Sequence, residues 1–504
     1  MDRKRSVLVV VLLLVLSFSL TAGAKDDTII IGSGAEAVSL DPRVENDAPS
    51  FERINMIMEP LLKYNENMEL APLLAKEWEV SEDTTTITFV LEEGVTWQDG
   101  VPFTAADVKY TFEWVLDVNN NAQNRGLFVD IEQIEIVDDY NIVFHLSQPN
   151  GFLINSIPRL AITPKHDGDR ADFAQKPLGT GPYKFVSWSR DDRMVLEAYE
   201  DYWRGKPNIA NVIFRPIPEN ATKLLAFEAG EIDIFQGGVV PQEIDRLEAN
   251  PNFIVQRTPG TGYTYLGINF RVAALADVRV RQAINHLFDR EGIVKHVLNG
   301  IGTPAIGPIT AALPWFNEDL AGYDYNPERA KELLAEAGYG PGDIKLRVHT
   351  NENPERIRIA ELLQFEAQQV GIELEVIVEE WGAYLSRIQE TDDFDLWILG
   401  WVGLVDADRA LNRQFHTDGS NNYGKYSNER IDEIIETGRV IAPDTKESFD
   451  IYNEGQEIIV RDAVYAFINY SEEVSVQHKW IENWQIHPFA NSSWQDIWQA
   501  VKNK

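Results

Sequence analysis

Cysteine is absent from all 504 residues. Its absence excludes a disulfide framework, thiol catalysis and a thiolate-held metal. It also removes the residue that would carry a lipid at a signal-cleavage site. No glutamine, serine or glycine tract breaks the chain, so wholesale disorder is not expected. Positive charge is scarce as well: 45 Lys and Arg face 80 Asp and Glu, a formal charge of −35. A field of that sign repels nucleic acid and anionic membrane surfaces, so neither is expected as a partner. Beyond the first two dozen residues no apolar run approaches the roughly 20 residues that a membrane span needs.

Motifs of established chemistry are also missing. Neither H-E-x-x-H nor G-x-S-x-G occurs. Gly419 to Lys425 has the glycine spacing of a phosphate loop, but Tyr426 stands where a Ser or Thr would reach magnesium. Gly300-Ile-Gly302 lacks the third glycine of a dinucleotide fingerprint. Asp406-Ala-Asp408 starts like a calcium loop, yet Leu411 stands where that loop needs glycine. His416 and Asp418 invite comparison with a metal site, but a solvated turn explains them as well. A carboxylate pair for glycoside hydrolysis could hide among so many acids, and nothing singles one out. No cofactor and no metal are therefore expected.

What is present begins with an address. Arg3-Lys4-Arg5 is basic, Val7 to Leu20 is mostly apolar, and Thr21-Ala22-Gly23-Ala24 supplies small residues. This is secretory signal architecture, with cleavage expected after Ala24. The segment carries +3 and −1, so its removal takes the net charge from −35 to −37. The mature chain is expected to be unlipidated, monomeric and periplasmic, with no membrane insertion.

The stretch Phe394 to Arg413, FDLWILGWVGLVDADRALNR, is the most suggestive. It reads as a buried strand that breaks at Gly400 and Gly403, presents Trp401, and turns acidic at Asp406 and Asp408. Such a strand-to-loop junction builds a binding wall: strand for rigidity, glycine for close backbone approach, indole for a flat face. A core strand with an ordinary turn explains the same letters. Elsewhere, Thr28 to Ile31 reads as a strand, Phe51 to Leu62 as a helix and Thr84 to Leu91 as a strand. Thr104 opens a helix, and Ile131 to Val137 with Asn141 to Leu146 makes a hairpin. Asp277 to Leu298 reads as one long helix. Strand, helix, strand from Lys345 through Gln389 into Phe394 implies parallel pairing, and so an α/β fold.

Five segments together resemble the dipeptide/oligopeptide-binding family (family 5) of extracytoplasmic solute-binding proteins of ABC importers. They are Trp97-Gln-Asp-Gly-Val-Pro-Phe-Thr-Ala-Ala-Asp-Val108, Leu178-Gly-Thr-Gly-Pro-Tyr-Lys-Phe185, Asp201-Tyr-Trp-Arg-Gly-Lys-Pro207 with Gly230 to Ile234, Val278-Arg-Val-Arg-Gln-Ala-Ile-Asn285 with Asp289-Arg290, and Phe394 to Trp401 with Tyr426-Ser-Asn428. The resemblance implies a two-lobed clamp with two crossing segments, near Leu266 to Asn269 and Ala466 to Tyr470, and an extra subdomain on the first lobe. Lobe I would comprise 25–59, 176–265 and 471–504, its subdomain 60–175, and lobe II 266–470. It implies no catalysis, a small-molecule ligand, and an importer permease as partner.

In peptide-binding members a peptide lies between two backbone edges, matched here by Ala35 to Val38 and Gly400 to Gly403. The residues expected at the ligand are Glu36, Ala37, Trp381, Tyr384, Trp401, Val402, Gly403, Leu404, Asp406 and Tyr423; the resemblance matches the two edges, Trp401 and Trp381, and Tyr384 and Tyr423 are added as aromatic faces that would suit a sugar. The family's ammonium-pairing aspartate, three residues after the tryptophan, is replaced by Leu404. Asp406 or Asp408 would have to substitute, or Asp406 instead holds the loop by accepting backbone hydrogen bonds. An oligosaccharide ligand, which needs no ammonium anchor, is the alternative within the family. A secreted glycoside hydrolase is the alternative outside it.

Overall fold

The computed structural model describes residues 27–44, 47–492 and 494–504; the signal segment lies outside them. Two lobes share one continuous mixed sheet. Its strands run in the order Ile372–Glu379, Ile344–Asn351, Leu396–Trp401, Phe253–Ile268, Tyr465–His478, Ile234–Gln236, Thr28–Ser33, Asn211–Pro216, Arg193–Ala198 and Tyr183–Ser189. The first three are mutually parallel, as the strand–helix–strand pattern requires. Thr28–Ser33 is parallel to both of its neighbours in the first lobe.

Two long strands carry the chain between the lobes. Phe253–Ile268 pairs antiparallel with Tyr465–His478, and its second half also pairs with Leu396–Trp401. The pairing with Tyr465–His478 is regular from Phe253 to Pro259, then breaks and resumes at Tyr263. Pro259 has no N–H to give the ladder, and Gly260 and Gly262 sit where the backbone is crowded. A Cβ on Gly260 would come within 2.5 Å of Ser471 Oγ, and one on Gly262 within 2.4 Å of the Trp401 carbonyl. The break thus lies a few residues upstream of Leu266, and the tightest of these approaches is to the binding-wall tryptophan.

A separate four-stranded antiparallel sheet, Ala75–Val80, Thr86–Leu91, Asn141–Leu146 and Ile131–Asp138, forms the extra subdomain. The helix Ala105–Leu116 covers it. Thr104 and Asp107 close a capping box at its start, so orphan N–H groups are satisfied by a signal readable in the sequence. Phe112 meets Phe128 and Phe144 edge to face at 5.1 and 4.8 Å in its core.

Two expectations of local structure shift. Asp277 to Leu298 is not one helix but two, Val278–Asn285 and Arg290–His296. Asp289 caps the second by accepting from Gly292 N at 2.9 Å, and a cap residue outcompetes helix continuation there. The first helix is Ala48–Ile57, starting earlier at the Asp47 cap and ending before Pro60.

Candidate ligand-binding cleft

The wall of the cleft is the end of the strand Leu396–Trp401. Tyr263 and Thr264 pair with Trp401 and Gly400 on one side. On the other side the parallel neighbour reaches only Leu396 and Trp397, so the last residues have an open edge. Gly403 then takes φ +66°, a left-handed turn that suits glycine, and Leu404 N donates to Thr261 O at 3.0 Å. Among the described residues, the backbone N–H and C=O groups of Val402 and Gly403 make no hydrogen bond. Val402 is 81% exposed.

Aromatic rings back this edge. Trp401 stacks on Tyr265 (6.1 Å between centroids, 13° between planes), and Tyr265 stacks on Tyr465 (4.2 Å, 17°). Tyr423 leans on Trp401 at 6.4 Å. The Arg356 guanidinium lies 6.0 Å from the Trp381 ring and 3.4 Å from where a Cβ on Gly400 would be. It donates to Asn351 Oδ1 at 3.0 Å, and no carboxylate among the described residues lies within 4.0 Å of it. Burial pulls its pKa below the usual arginine value.

Past Gly403 the character changes to charge. Asp406 is the N-cap of the helix Ala407–Phe415 and accepts from Arg409 N at 2.7 Å. It is only 4% exposed, and burial with the Asp408 charge beside it raises its pKa to about 7. Burial raises Asp408 too, against the opposing pull of Arg439. Arg439 reaches Asp130 of the subdomain at 3.2 Å, tying the lobes together. A cavity of about 230 Å³ sits here, lined by Asn150, Ser156, Asp406, Asp408, Arg409 and Arg413 among others. A second cavity of about 640 Å³ lies alongside, with Leu70, Trp78 and Ile154 from the subdomain and Trp315, Pro443 and Phe449 from the second lobe. Phe152 closes the seam between the lobes, 5.5 Å from Trp315 and 5.4 Å from Tyr452.

The expected residues do not all meet. Trp401, Val402, Gly403 and Tyr423 gather at the wall, and Trp381, 45% exposed, stands beside it. Tyr384 is fully buried and donates to the Ile398 carbonyl at 2.7 Å, so it holds its helix to the strand instead of lining open space. Leu404 is 3% exposed and belongs to the aromatic core. Asp406 accepts the backbone hydrogen bond of a helix cap and also lines the smaller cavity. Glu36 accepts from Trp188 Nε1 and Asp191 N, and the Ala37 and Val38 carbonyls accept from Arg190. No hydrogen bond or ring contact among the described residues joins this first edge to 400–404. Sequence reading missed Tyr265, Tyr465, Arg159, Arg356, Arg409 and Arg413. Arg409 and Arg413 are four apart in one helix and could have been flagged; the rest come from distant segments with no local signal. Among the described residues, no group of three or more His, Asp or Glu is placed to hold a metal ion.

Two lobes on a shared sheet, joined by two crossing strands and carrying an open backbone edge, are the architecture of a solute-binding protein. The profile described as bacterial extracellular solute-binding proteins, family 5 Middle, matches residues 69–422, and the chain belongs to that family. It is 26% identical over 487 residues to the glutathione-binding protein GsiB of Pectobacterium atrosepticum, covering 94% of each chain. It is 28% identical over 467 residues to the dipeptide-binding protein of Escherichia coli strain K12, covering 85% of this chain and 86% of that one. It superposes on the ABC transporter substrate-binding protein CtaP of Listeria monocytogenes with a TM-score of 0.86 at 28% identity, covering 95% of this chain and 99% of that one. Among the described residues no helix is long and apolar enough to cross a membrane.

Proposed function

We propose that the chain is the periplasmic binding component of an ABC importer for a peptide-like solute, which it traps between its lobes and passes unchanged to the permease. The observation that carries this reading is the unbonded backbone of Val402 and Gly403 beside the Trp401 indole. Such an edge offers N–H and C=O groups to an extended amide, which adds to it as a strand would. Relatives named for dipeptide and glutathione binding support a ligand built from amino acids. The lobes divide near residues 259–263 and 470–472, where the crossing strands lose register, and that is where the clamp hinges.

The ligand's amine is not read through a counter-ion at the position of Leu404, because a buried leucine offers none. A neutral oligosaccharide would find aromatic faces here but would leave the cleft's guanidinium groups unanswered. Thermal denaturation against free and N-acetylated di- to tetrapeptides and against oligosaccharides tests the reading. A binder raises the melting temperature with concentration. Peptides are expected to act, acetylation to matter little, and Trp401→Ala to abolish the shift. Oligosaccharides acting alone would establish the other ligand class. Release of product from any ligand would make the protein an enzyme and end the proposal.

A further inference from the structure

Three arginines in the cleft are unfinished. Arg159 comes from the subdomain, and Arg409 and Arg413 come from the helix Ala407–Phe415 of the second lobe. Each guanidinium has five N–H donors. Among the described residues, none of the three side chains makes a hydrogen bond, and none has a carboxylate within 4.0 Å. Arg159 Nε is buried with no partner. Arg409 feels both Arg159 and Arg413 as like charges, and its pKa falls to about 10, chiefly through burial.

This is not how the chain treats arginine elsewhere. Arg281, more deeply buried than any of the three, donates to the carbonyls of Leu275, Ala276 and Asp462. Arg290 donates to Phe467, Tyr323 and Asn285. On the surface Arg430 pairs with Glu433 and Glu454. With 80 acidic residues against 45 basic ones, a carboxylate partner is easy to come by. Arg159 and Arg409, both half-buried, and Arg413, which is exposed, gather without one where the lobes meet, and burial of the first two like charges is costly. Asp406 attracts Arg159 and Arg409 but gives little relief, since a pKa of about 7 leaves it partly neutral near neutrality. Asp408 is answered chiefly by Arg439 and Asn412, with a weaker attraction to Arg413 beyond ion-pair distance.

We propose that Arg159, Arg409 and Arg413 form an oxyanion subsite that takes an acidic group of the solute and, by cancelling their mutual repulsion, draws the two lobes together. The proposal rests on the solute-binding reading above and narrows it to acidic solutes. The cavity of about 230 Å³ beside Arg409 and Arg413 has room for a carboxylate or a phosphoryl group. The Arg159 guanidinium lies 3.9 Å from where a Cβ on Gly403 would be. Arg356 stands at the other end of the same edge, next to Gly400. Three residues of extended chain separate these two points, about 10 Å. The fitting solute is therefore short, anionic at both ends and about as long as a di- or tripeptide.

Thermal denaturation of the full mature chain tests this with succinate, inorganic phosphate and chloride at matched low-millimolar ionic strength. Succinate or phosphate is expected to raise the wild-type melting temperature well beyond chloride, and the stronger of the two names the group that fits. Arg409→Met and Arg413→Met should weaken that response by roughly tenfold or more in apparent affinity. Arg409→Lys keeps the charge without the fork and should fall between; it also serves if a methionine variant fails to fold. Arg430→Met, a surface control, should respond as wild type. Equal responses from wild type and the cleft variants, or no difference between the anions and chloride, would overturn the subsite. N-acetyl-Ala-Glu and its fully amidated form separate the two layers of the argument. If both peptides bind alike and the small anions do nothing, solute binding stands and the subsite falls. If the anions act and neither peptide binds, the subsite stands and the peptide reading falls.

Discussion

The two halves of the Leu396–Phe415 wall solve opposite problems. The half around Trp401 is finished in its ring packing, although Trp401 Nε1 and the Val402–Gly403 backbone lack partners: its rings stack on one another, and Tyr265 sits sandwiched between Trp401 and Tyr465. The half around Arg409 is unfinished, with guanidinium groups that have donors and no acceptors. The first half therefore supplies stability to the empty protein and a rigid face to the ligand. The second half costs stability until something anionic arrives. Packing and recognition are divided along a few residues of one chain, and the division can be tested from either side.

The largest expected effect comes from the finished half. Tyr265→Ala removes the middle ring of the stack from a fully buried position, which costs about 3–5 kcal/mol. Denaturant unfolding of the ligand-free protein should show it as a lower midpoint. If the midpoint hardly moved, the stack would be a recognition surface and not a structural one, and the contrast between the halves would collapse.

Asp406 gives the next largest effect, and its sign is distinctive. Burial raises its pKa to about 7 in the folded protein, against 3.8 unfolded, so the native state holds the proton more tightly. Its contribution is therefore unfavourable above the unfolded pKa: stability should fall as pH rises from about 4 to about 7 and then level off, by about 2–4 kcal/mol. Asp406→Asn keeps a competent helix cap and should flatten that slope. The same group links pH to binding. An anion beside Asp406, Asp408, Arg159, Arg409 and Tyr64 favours the protonated carboxyl, so an acidic ligand should bind more tightly at pH 6 than at pH 8, with proton uptake measurable by calorimetry in buffers of different ionisation enthalpy. An affinity that is flat across this range, or that rises with pH, would show that the ligand's charge lies elsewhere.

Arg409→Met sharpens the contrast from the unfinished half. Replacing a desolvated, unpaired charge by an apolar side chain of similar length is expected to leave the empty protein unchanged or more stable by about 1–2 kcal/mol. Tyr265→Ala and Arg409→Met should thus move stability in opposite directions. A destabilisation by Arg409→Met comparable to that of Tyr265→Ala would mean that the guanidinium is part of the scaffold.

The finished half was far easier to read in the sequence than the unfinished one. An apolar run ending at Gly400 specifies a buried strand, and Thr104 with Asp107 specifies a helix start, because each depends on neighbours a few positions away. The lobes and their crossings came from five quoted segments taken together. Tyr384 reads as a ligand residue in the sequence, but a helix turns about 100° per residue, and which face meets the strand is decided by packing. Asp406 admitted two roles because a cap and a ligand group use the same lone pairs. The arginine subsite was hidden for a different reason. Arg159 and Arg409 are distant in sequence and meet only when the lobes do, and a lack of partners leaves no trace in the letters.

The smallest effect probes the join between the two halves. Gly403 has φ +66°, and an added Cβ would find Phe489 Cε2 at 3.7 Å and an Arg159 terminal nitrogen at 3.9 Å, both ordinary contacts. Space is therefore not the objection to Gly403→Ala. The cost is the left-handed backbone alone, about 1 kcal/mol. Because the methyl group points at Arg159, however, it stands where the solute would pass from the indole to the guanidinium cluster. Affinity for an acidic peptide should drop by more than the stability loss accounts for, and affinity for succinate by less, since succinate need not lie along the edge. If stability and both affinities fell together, Gly403 would serve the turn only, and the ligand would not run continuously from one half of the wall to the other.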